Sequence, residues 1–435
     1  LLAWGSYVVP ADAPWEIEEL GRLGEITVGF VGPMAHEYVA SGIPFLRSLN
    51  VKPFRIDAVD LMFVSEAFHG RLAKSALKPG DVIIVRTGTP GVAAVVPEWL
   101  PRANCADLVV VHPGPRLDPR FLAYFVNGAA QGQIDGQVVG AVQQHYNIGS
   151  AKRMRVPLPP LDEQRAIATM LGTMDDKIDM NRRMNLALEE MASALFRSWF
   201  ADFDPVVAKA AGREPIGMDA ATAALFPSSF EDSELGPIPR GWTADEIYRA
   251  SRIAYGAPFA STLFNSEGRG RPLIRIRDLA DHEPEVWTSE EHPRGVLVRA
   301  GDIVVGMDGE FRAHVWRGQE SWLNQRVCKF DSKDFYGRAF VYFSIKEPLA
   351  EVERSEVGTT VIHLGKADID RFRVVYAPSE VHEAFHKLAD PLLELAVVNG
   401  SESRSLAALR DALLPKLLSG EIRLRDAQRT VETVA

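Results

Sequence analysis

His382-Glu383-Ala384-Phe385-His386 has the spacing with which one helical face offers two imidazoles to zinc, with a glutamate between them as general base. Glu402 lies downstream as a conceivable third ligand, so a zinc metallopeptidase is one remote reading of the chain. A five-residue pattern this loose arises often by chance. Phe385 and Glu402 also fall on an apolar repeat, set out below, that gives them another task. The nearest thing to a phosphate loop runs from Gly358 to Lys366. It has six residues between Gly358 and Gly365, and Ala367 where Ser or Thr is needed, so ATP binding is not expected there. No Asn-Pro-Pro-Tyr or Asp-Pro-Pro-Tyr segment occurs, so methyl transfer to adenine is not expected on this chain. Cys105 and Cys328 match no metal-ligand spacing and read as free thiols of a reducing compartment.

A second chemistry is better supplied: contact with phosphates and base edges, which takes Lys and Arg for the first and Arg, Asn, Gln, Ser or Thr for the second. The densest cluster is Arg269-Gly270-Arg271-Pro272-Leu273-Ile274-Arg275-Ile276-Arg277. As a strand it would place Arg275 and Arg277 on one face and give Ile274 and Ile276 to the core. A solvated basic edge strand would read the same way. Arg47 stands at the corresponding place earlier in the chain, and Lys52 joins the candidate phosphate contacts. The loops Arg86-Thr87-Gly88-Thr89-Pro90-Gly91 and Gly306 through Arg312 carry glycines that let a backbone approach a phosphate, though plain turns use them too. Gln143-Gln144-His145-Tyr146-Asn147 and Thr359-Thr360-Val361-Ile362-His363-Leu364-Gly365-Lys366 form a third pair; Gln and Asn can bond an adenine edge, and the histidines can equally cap or pack.

The bulk charge is a counterweight. The chain carries −10 overall, with residues 1–150 at about −3 and 241–377 at about −2, so DNA binding would need a local basic stripe. A hydrophobic share of 46% and a charged share of 24% are those of an ordinary globular protein, long enough for two or three cores. No apolar run reaches spanning length, and Leu1 through Pro10 has no basic segment ahead of its apolar residues. Neither a signal peptide nor an anchor is expected, and the expected location is cytoplasmic.

The elements that must position these residues come in two copies. Arg155-Val156-Pro157-Leu158-Pro159-Pro160-Leu161 is echoed by Arg373-Val374-Val375-Tyr376-Ala377-Pro378-Ser379, an offset of 218 residues from Pro160 to Pro378. At that offset the following forty residues align without a gap. Ile167, Met170, Met174, Lys177, Asn181, Met184, Leu188, Met191 and Leu195 fall on Phe385, Leu388, Leu392, Leu395, Asn399, Glu402, Leu406, Leu409 and Leu413. Both sets step by three and four, the pattern of a coiled-coil seam. The two helices are expected to pair through Ile167, Met174, Asn181, Leu188 and Leu195 against Phe385, Leu392, Asn399, Leu406 and Leu413, with the aligned asparagines fixing register. Pro391 and Pro415 are expected to kink or break the second helix. A forty-residue helix reaches roughly 60 Å.

Earlier segments correspond as well: Trp15–Leu20 with Trp242–Ile247, Pro44–Arg47 with Pro272–Arg275, and Leu77–Ile83 with Val298–Val304. Val82–Val85, Val92–Val96, Leu108–Val111, Ile303–Val305 and Phe340–Phe343 read as strands, and Pro119–Asn127 as a helix. The fold class that follows is α+β: two mixed α/β domains and two long coiled-coil helices in an internal repeat; that the domains are recognition domains separated by antiparallel helices, with pseudo-two-fold character, is what the resemblance given next implies. The expected divisions are 1–158, a first domain; 159–201, a first long helix; 202–238, a turn-rich crossover; 239–376, a second domain; and 377–425, a second long helix.

These residues closely resemble the specificity subunit of type I restriction-modification systems. The resemblance is carried by Val156 through Ile167 (VPLPPLDEQRAI), Leu195 through Phe200, Phe203-Asp204-Pro205-Val206, Gly212-Arg213-Glu214-Pro215, Gly236 through Trp242 and Leu409 through Ile422. Ala377-Pro378-Ser379-Glu380 departs from the pattern, lacking the paired prolines and the Gln. The resemblance implies a non-catalytic DNA reader in which each domain reads one half of a split, asymmetric site and the helices set the unread gap. It implies two methyltransferase subunits and motor-nuclease (restriction/translocase) subunits as partners. S-adenosylmethionine, ATP and Mg would be used by those partners, with no cofactor on this chain. A recognition subunit of a related anti-phage complex with a different effector is the alternative.

Overall fold

The computed structural model describes residues 15–135, 146–355 and 362–427. It divides into two compact units, residues 1–178 with 405–435, and residues 179–404.

In the first unit, Glu16–Glu19 pairs antiparallel with Arg155–Leu158, tying the start of the unit to the strand that leads into the first long helix. Its main sheet has the order Gly24–Val28, Leu108–Pro113, Val82–Val85, Ala93–Val95, all antiparallel. Val82–Val85 is buried throughout, which is why it is apolar without alternation. The pleat sends Val82 and Ile84 into one apolar cluster with Phe121, Leu122 and Phe125, and Ile83 and Val85 into another with Leu46 and Cys105. The helix that covers the first face, Pro119–Gly128, starts with proline at its first turn. Asp118 caps it, its Oδ1 accepting from the Phe121 amide at 3.0 Å. A second sheet includes the parallel pair Asn104–Cys105 and Ile43–Leu46.

The second unit repeats the plan. Thr243–Glu246 pairs antiparallel with Arg373–Tyr376. The main sheet runs Ser251–Tyr255, Val327–Ser332, Ile303–Gly306, Ala313–Val315 in the same order, and Arg271–Ile274 lies parallel to Ser321–Leu323 in the other sheet. The aligned Gly-Asp segments prove to be one turn made twice. Gly80 and Gly301 hold φ of 89° and 96°, a left-handed conformation that strains a side-chain-bearing residue. Asp81 then accepts from the Lys78 amide, and Asp302 from the Arg299 amide, each at 2.8 Å.

Three expectations about local structure are overturned. Phe340–Phe343 is not a strand but the body of the helix Gly337–Ser344, buried on nearly every side, a setting in which a short apolar run shows no helical period. Arg275 and Arg277 do not share a strand face: the strand is Arg271–Ile274, and a 3-10 turn, Ile276–Asp278, follows because the Asp278 carboxylate bonds the Arg275 amide at 2.8 Å. The second long helix, Ser379–Ser419, runs through Pro391 and Pro415 unbroken; buried Ala389, Leu393, Leu413, Leu414 and Leu417 hold the chain on either side of each ring. The crossover, read from its sequence as turn-rich and partly ordered, contains the helices Asp204–Ala210 and Ala220–Ala224 and the hairpin Phe230–Ser233/Gly236–Pro239. Val206, Phe226 and Ile238 pack with Trp199, Phe200 and Trp242 in one core.

The first long helix is Leu161–Phe196. In the first unit its Ile167, Ala168, Leu171 and Met174 pack with Leu413, Leu414, Leu417 and Leu418, and Leu406 is partly buried beside them. In the second unit Asn181 meets Asn399 and Phe196 meets Phe385, so the two helices run antiparallel there. Leu188 is buried, and Leu195 and Leu392 are partly buried. The alternate seam positions lie one residue from where apolarity put them. Met184, Met191, Leu388 and Leu395 are exposed, while Asn185, Ala192, Ala389 and Ala396 are buried. Small side chains let the backbones approach, and the larger apolar ones are left outside. No helix among the described residues is long and apolar enough to cross a membrane.

Candidate nucleic-acid interface

In the first unit, Arg86 follows the buried strand Val82–Val85. Its Nε donates to the Tyr146 carbonyl at 2.9 Å, its Nη1 pairs with Asp107, and the Thr87 hydroxyl donates to the same carboxylate at 3.3 Å. The loop after the strand is thereby tied to the residues ahead of the long helix. Arg86 and Thr87 are occupied in building the surface, whereas Thr89 is exposed on it. Asn147 caps the helix Ile148–Lys152, its Oδ1 accepting from the Ser150 amide at 2.9 Å. Arg47 reaches back to the Asp60 carbonyl, and its buried Nε has no partner. Lys52 is exposed on the hairpin Val51–Lys52/Arg55–Ile56.

In the second unit the corresponding loops also meet. The Leu364 amide donates to the Met307 carbonyl at 2.8 Å, and His363 Nδ1 lies 2.6 Å from Asp308, which also pairs with Arg326 at 3.3 Å. Ile276 lies against Gly306, so the 3-10 turn bearing Arg277 abuts this loop. Arg277 is exposed, and Arg312 is loosely paired with Glu310 at 3.6 Å and Glu353 at 3.8 Å. Lys366 bonds Asp370 at 2.8 Å, and this, with the Tyr248 hydroxyl, holds that carboxyl below its usual range. The arginine cluster is mostly spoken for. Arg269 pairs with Glu267 at 2.8 Å, Arg271 with Glu320 while lying 5.1 Å over the Trp322 ring, and Arg275 with Asp278 and Glu285. Hydrogen bonding to Asp278 raises the Arg275 guanidinium still further, the mark of a structural ion pair. Gln143, Gln144, His145, Gly358, Thr359, Thr360 and Val361 lie outside the described residues.

The residues missed by sequence reasoning are the anchors of these loops, Asp107 and Arg326. Each stands just before the corresponding central strand, Leu108–Pro113 or Val327–Ser332, a pair of segments that the sequence repeat had not matched. At this shared position the first unit has an acid and the second a base.

The zinc motif is put to other use. His382 is fully buried, with Nε2 accepting from the Ala377 amide at 3.2 Å and its ring 5.3 Å from Phe200 and 4.4 Å from Phe340. Burial, and then Arg249, push it down to about 3. His386 pairs with Asp390 at 3.0 Å, and Glu402 accepts from Asn181 at 2.8 Å. The three residues do not converge, and no metal-holding group of three occurs among the described residues. Cys105 and Cys328 are both buried, and burial pushes the Cys328 thiol up to about 12.

Duplicated α+β units with polar loops gathered at the end of each main sheet, and paired helices beside them, define a two-copy recognition scaffold. Residues 13–190 match the type I restriction modification DNA specificity domain. The chain is 23% identical to the MjaIX specificity subunit of Methanocaldococcus jannaschii, covering 96% of this chain and 95% of that one. Over 43% of this chain and 41% of the relative it is 30% identical to the EcoBI specificity subunit of Escherichia coli. The fold is that of the type I restriction-modification S subunit from M. genitalium, at a TM-score of 0.54 and 15% identity over 95% of this chain and 98% of the other. Family model, relatives and fold thus agree in likening the chain to specificity subunits of type I restriction-modification systems, with the DNA specificity domain itself matched over residues 13–190.

Proposed function

We propose that each unit reads one half of a split, asymmetric DNA site, that the helix pair sets the unread gap, and that the chain itself is non-catalytic. The observation that carries this reading is the two units' shared backbone plan with opposite charges at one loop anchor, Asp107 in the first and Arg326 in the second. Two like scaffolds with unlike surfaces suit two unlike half-sites along one duplex. Lys52, Thr89, Arg277 and Arg312, exposed on those surfaces, are the side chains best placed to meet DNA.

The partners are methyltransferase subunits, which supply S-adenosylmethionine chemistry, and restriction subunits, which use ATP and Mg, all in the cytoplasm. A docking face is offered by the helix pair, whose Met180, Met184, Met191, Leu388 and Leu395 stand exposed in the second unit. The test is a map of N6-methyladenine in host DNA with the chain present and deleted. Loss of a split, asymmetric methylated motif on deletion supports the reading. Unchanged methylation overturns the modification role and leaves a recognition subunit serving a different effector.

A further inference from the structure

Phe54 and His282 hold corresponding places in the two units. Each follows an arginine-capped 3-10 turn, Ser48–Asn50 or Ile276–Asp278, and each has a left-handed backbone, φ 67° and 63°. In the first unit the place is filled. The Phe54 ring lies 4.9 Å from Tyr124, and the Arg410 guanidinium sits 4.5 Å above it, itself neutralised by Asp175 and Asp411.

In the second unit the corresponding tyrosine, Tyr342, also binds an acid of the first long helix, donating to Glu189 at 2.6 Å. His282 is smaller than phenylalanine, and beside it lies a cavity of about 390 Å³ whose polar lining includes His282, His314, Glu189, Arg312, Arg317 and Lys346. Glu189 is already committed, accepting from Lys346 at 3.0 Å and Arg317 at 3.3 Å besides Tyr342. Arg317 and Lys346 therefore share one satisfied carboxylate, and Arg312 beside them is held only loosely, by Glu310 at 3.6 Å and Glu353 at 3.8 Å. Arg317 Nε is buried with no partner in the protein, and a buried open donor calls for an acceptor from elsewhere. Both imidazoles are kept neutral. Burial, then the Arg317 charge, pushes His282 down to about 3, and burial lowers His314 too. A neutral ring still donates one N–H.

We propose that this cavity binds a small phosphate-type oxyanion, held by Arg312, Arg317 and Lys346 with the two imidazoles as neutral donors. In the first unit the Phe54 ring, beneath the Arg410 guanidinium and beside Tyr124, fills the place that His282 holds here. The same chemistry could come from a free phosphoanion or from a DNA backbone phosphate.

The test is calorimetric titration of the full chain with inorganic pyrophosphate at constant ionic strength, on wild type, Arg312→Gln and Ala350→Phe. Ala350 lines the cavity without joining the ion cluster, so the phenyl ring fills the space and leaves the pairs intact. The expected result is saturable one-site binding by wild type. Arg312→Gln should weaken it about tenfold, the loss of one charge-assisted contact, and Ala350→Phe should abolish it with the melting curve retained. Absence of saturable binding to wild type, or full affinity in both variants, overturns the proposal. Repeating the titration with duplex DNA present separates the sources: competition identifies a backbone phosphate, and independent binding a free anion.

Discussion

The buried polar layer of the helix pair gives the sharpest energetic test. Asn181, Asn185 and Asn399 are 0%, 6% and 6% exposed. Asn399 Nδ2 donates to Asn185 Oδ1 at 2.9 Å, while Asn181 Nδ2 donates to Ser403 Oγ at 3.3 Å. These two bonds are exchanged by the 218-residue repeat, so the layer is self-complementary about a local two-fold axis. Asn185→Leu strands the Asn399 amide, and Asn399→Leu strands the Asn185 carbonyl. Each buried orphan costs about 1–3 kcal/mol. For a unit of this size that lowers the melting temperature by about 2–12 °C. The double variant removes both partners and replaces them with side chains of similar volume, which is close to neutral. A double-mutant cycle on the full chain, read by thermal unfolding of the second unit, should therefore give a coupling of about 2–6 kcal/mol, the sum of the two single losses, with the double variant more stable than either single one. Additive losses would refute the argument, because they would mean that the two amides do not satisfy each other. The double variant, which keeps only the Asn181–Ser403 half of the layer, should also discriminate less between DNA sites whose gaps differ in length.

Three further outcomes are expected. His382 is pushed down to about 3, so the unfolded chain takes its proton first, and its contribution is present above pH 6.5 and is lost as pH falls toward 3. His382→Gln should remove about 2 kcal/mol of the stability lost between pH 7 and 5, seen as a flatter dependence of melting temperature on pH; an unchanged slope would exclude the burial account. Lys52→Ala and Arg277→Ala should each lower the slope of log affinity for DNA against log salt by about 1 without moving the melting temperature, and an unaltered slope would take that residue off the DNA face. Arg275→Ala should instead destabilise the fold by about 2–3 kcal/mol, because Asp278, only 1% exposed, loses its cation; DNA binding lost with melting unchanged would reverse that assignment.

What the sequence could reveal depended on how local each determinant is. The repeat was legible because both copies keep the same turns, caps and helix lengths, each specified by a few adjacent residues. Gly80-Asp81 and Gly301-Asp302 stand out because a left-handed glycine followed by a carboxylate accepting from the backbone is a local device. The helix Gly337–Ser344 was misread although its Tyr342 aligns with Tyr124, inside a segment already read as helical; following the repeat would have outvoted local apolarity. The seam failed in half its positions for a related reason. A pattern stepping three then four and one stepping four then three share alternate residues, and hydrophobicity chooses Met191 over Ala192, whereas close helix packing chooses the alanine. The arginine cluster misled because ion-pair partners are not local: Glu320 lies far along the chain from Arg271, and no spacing rule connects them.

The same limit bears on recognition. A duplicated fold that only had to be stable could keep identical loop anchors, since one ion pair serves as well as another to hold a turn. Here the tie is kept and its polarity reversed: a cation after the strand meets an acid in the first unit, and an acid after the strand meets a cation in the second. The backbone around both ties is held by the same kinds of bond, Tyr146 amide to Arg86 carbonyl in one unit and Leu364 amide to Met307 carbonyl in the other. The scaffold is therefore indifferent to the sign of the charge, and the sign is free to follow whatever the loops face. Neighbouring groups follow it as well, with a threonine hydroxyl on Asp107 and an imidazole on Asp308. Stability constrains where these loops lie, and the proposed reading of two different half-sites would account for the difference in what they display.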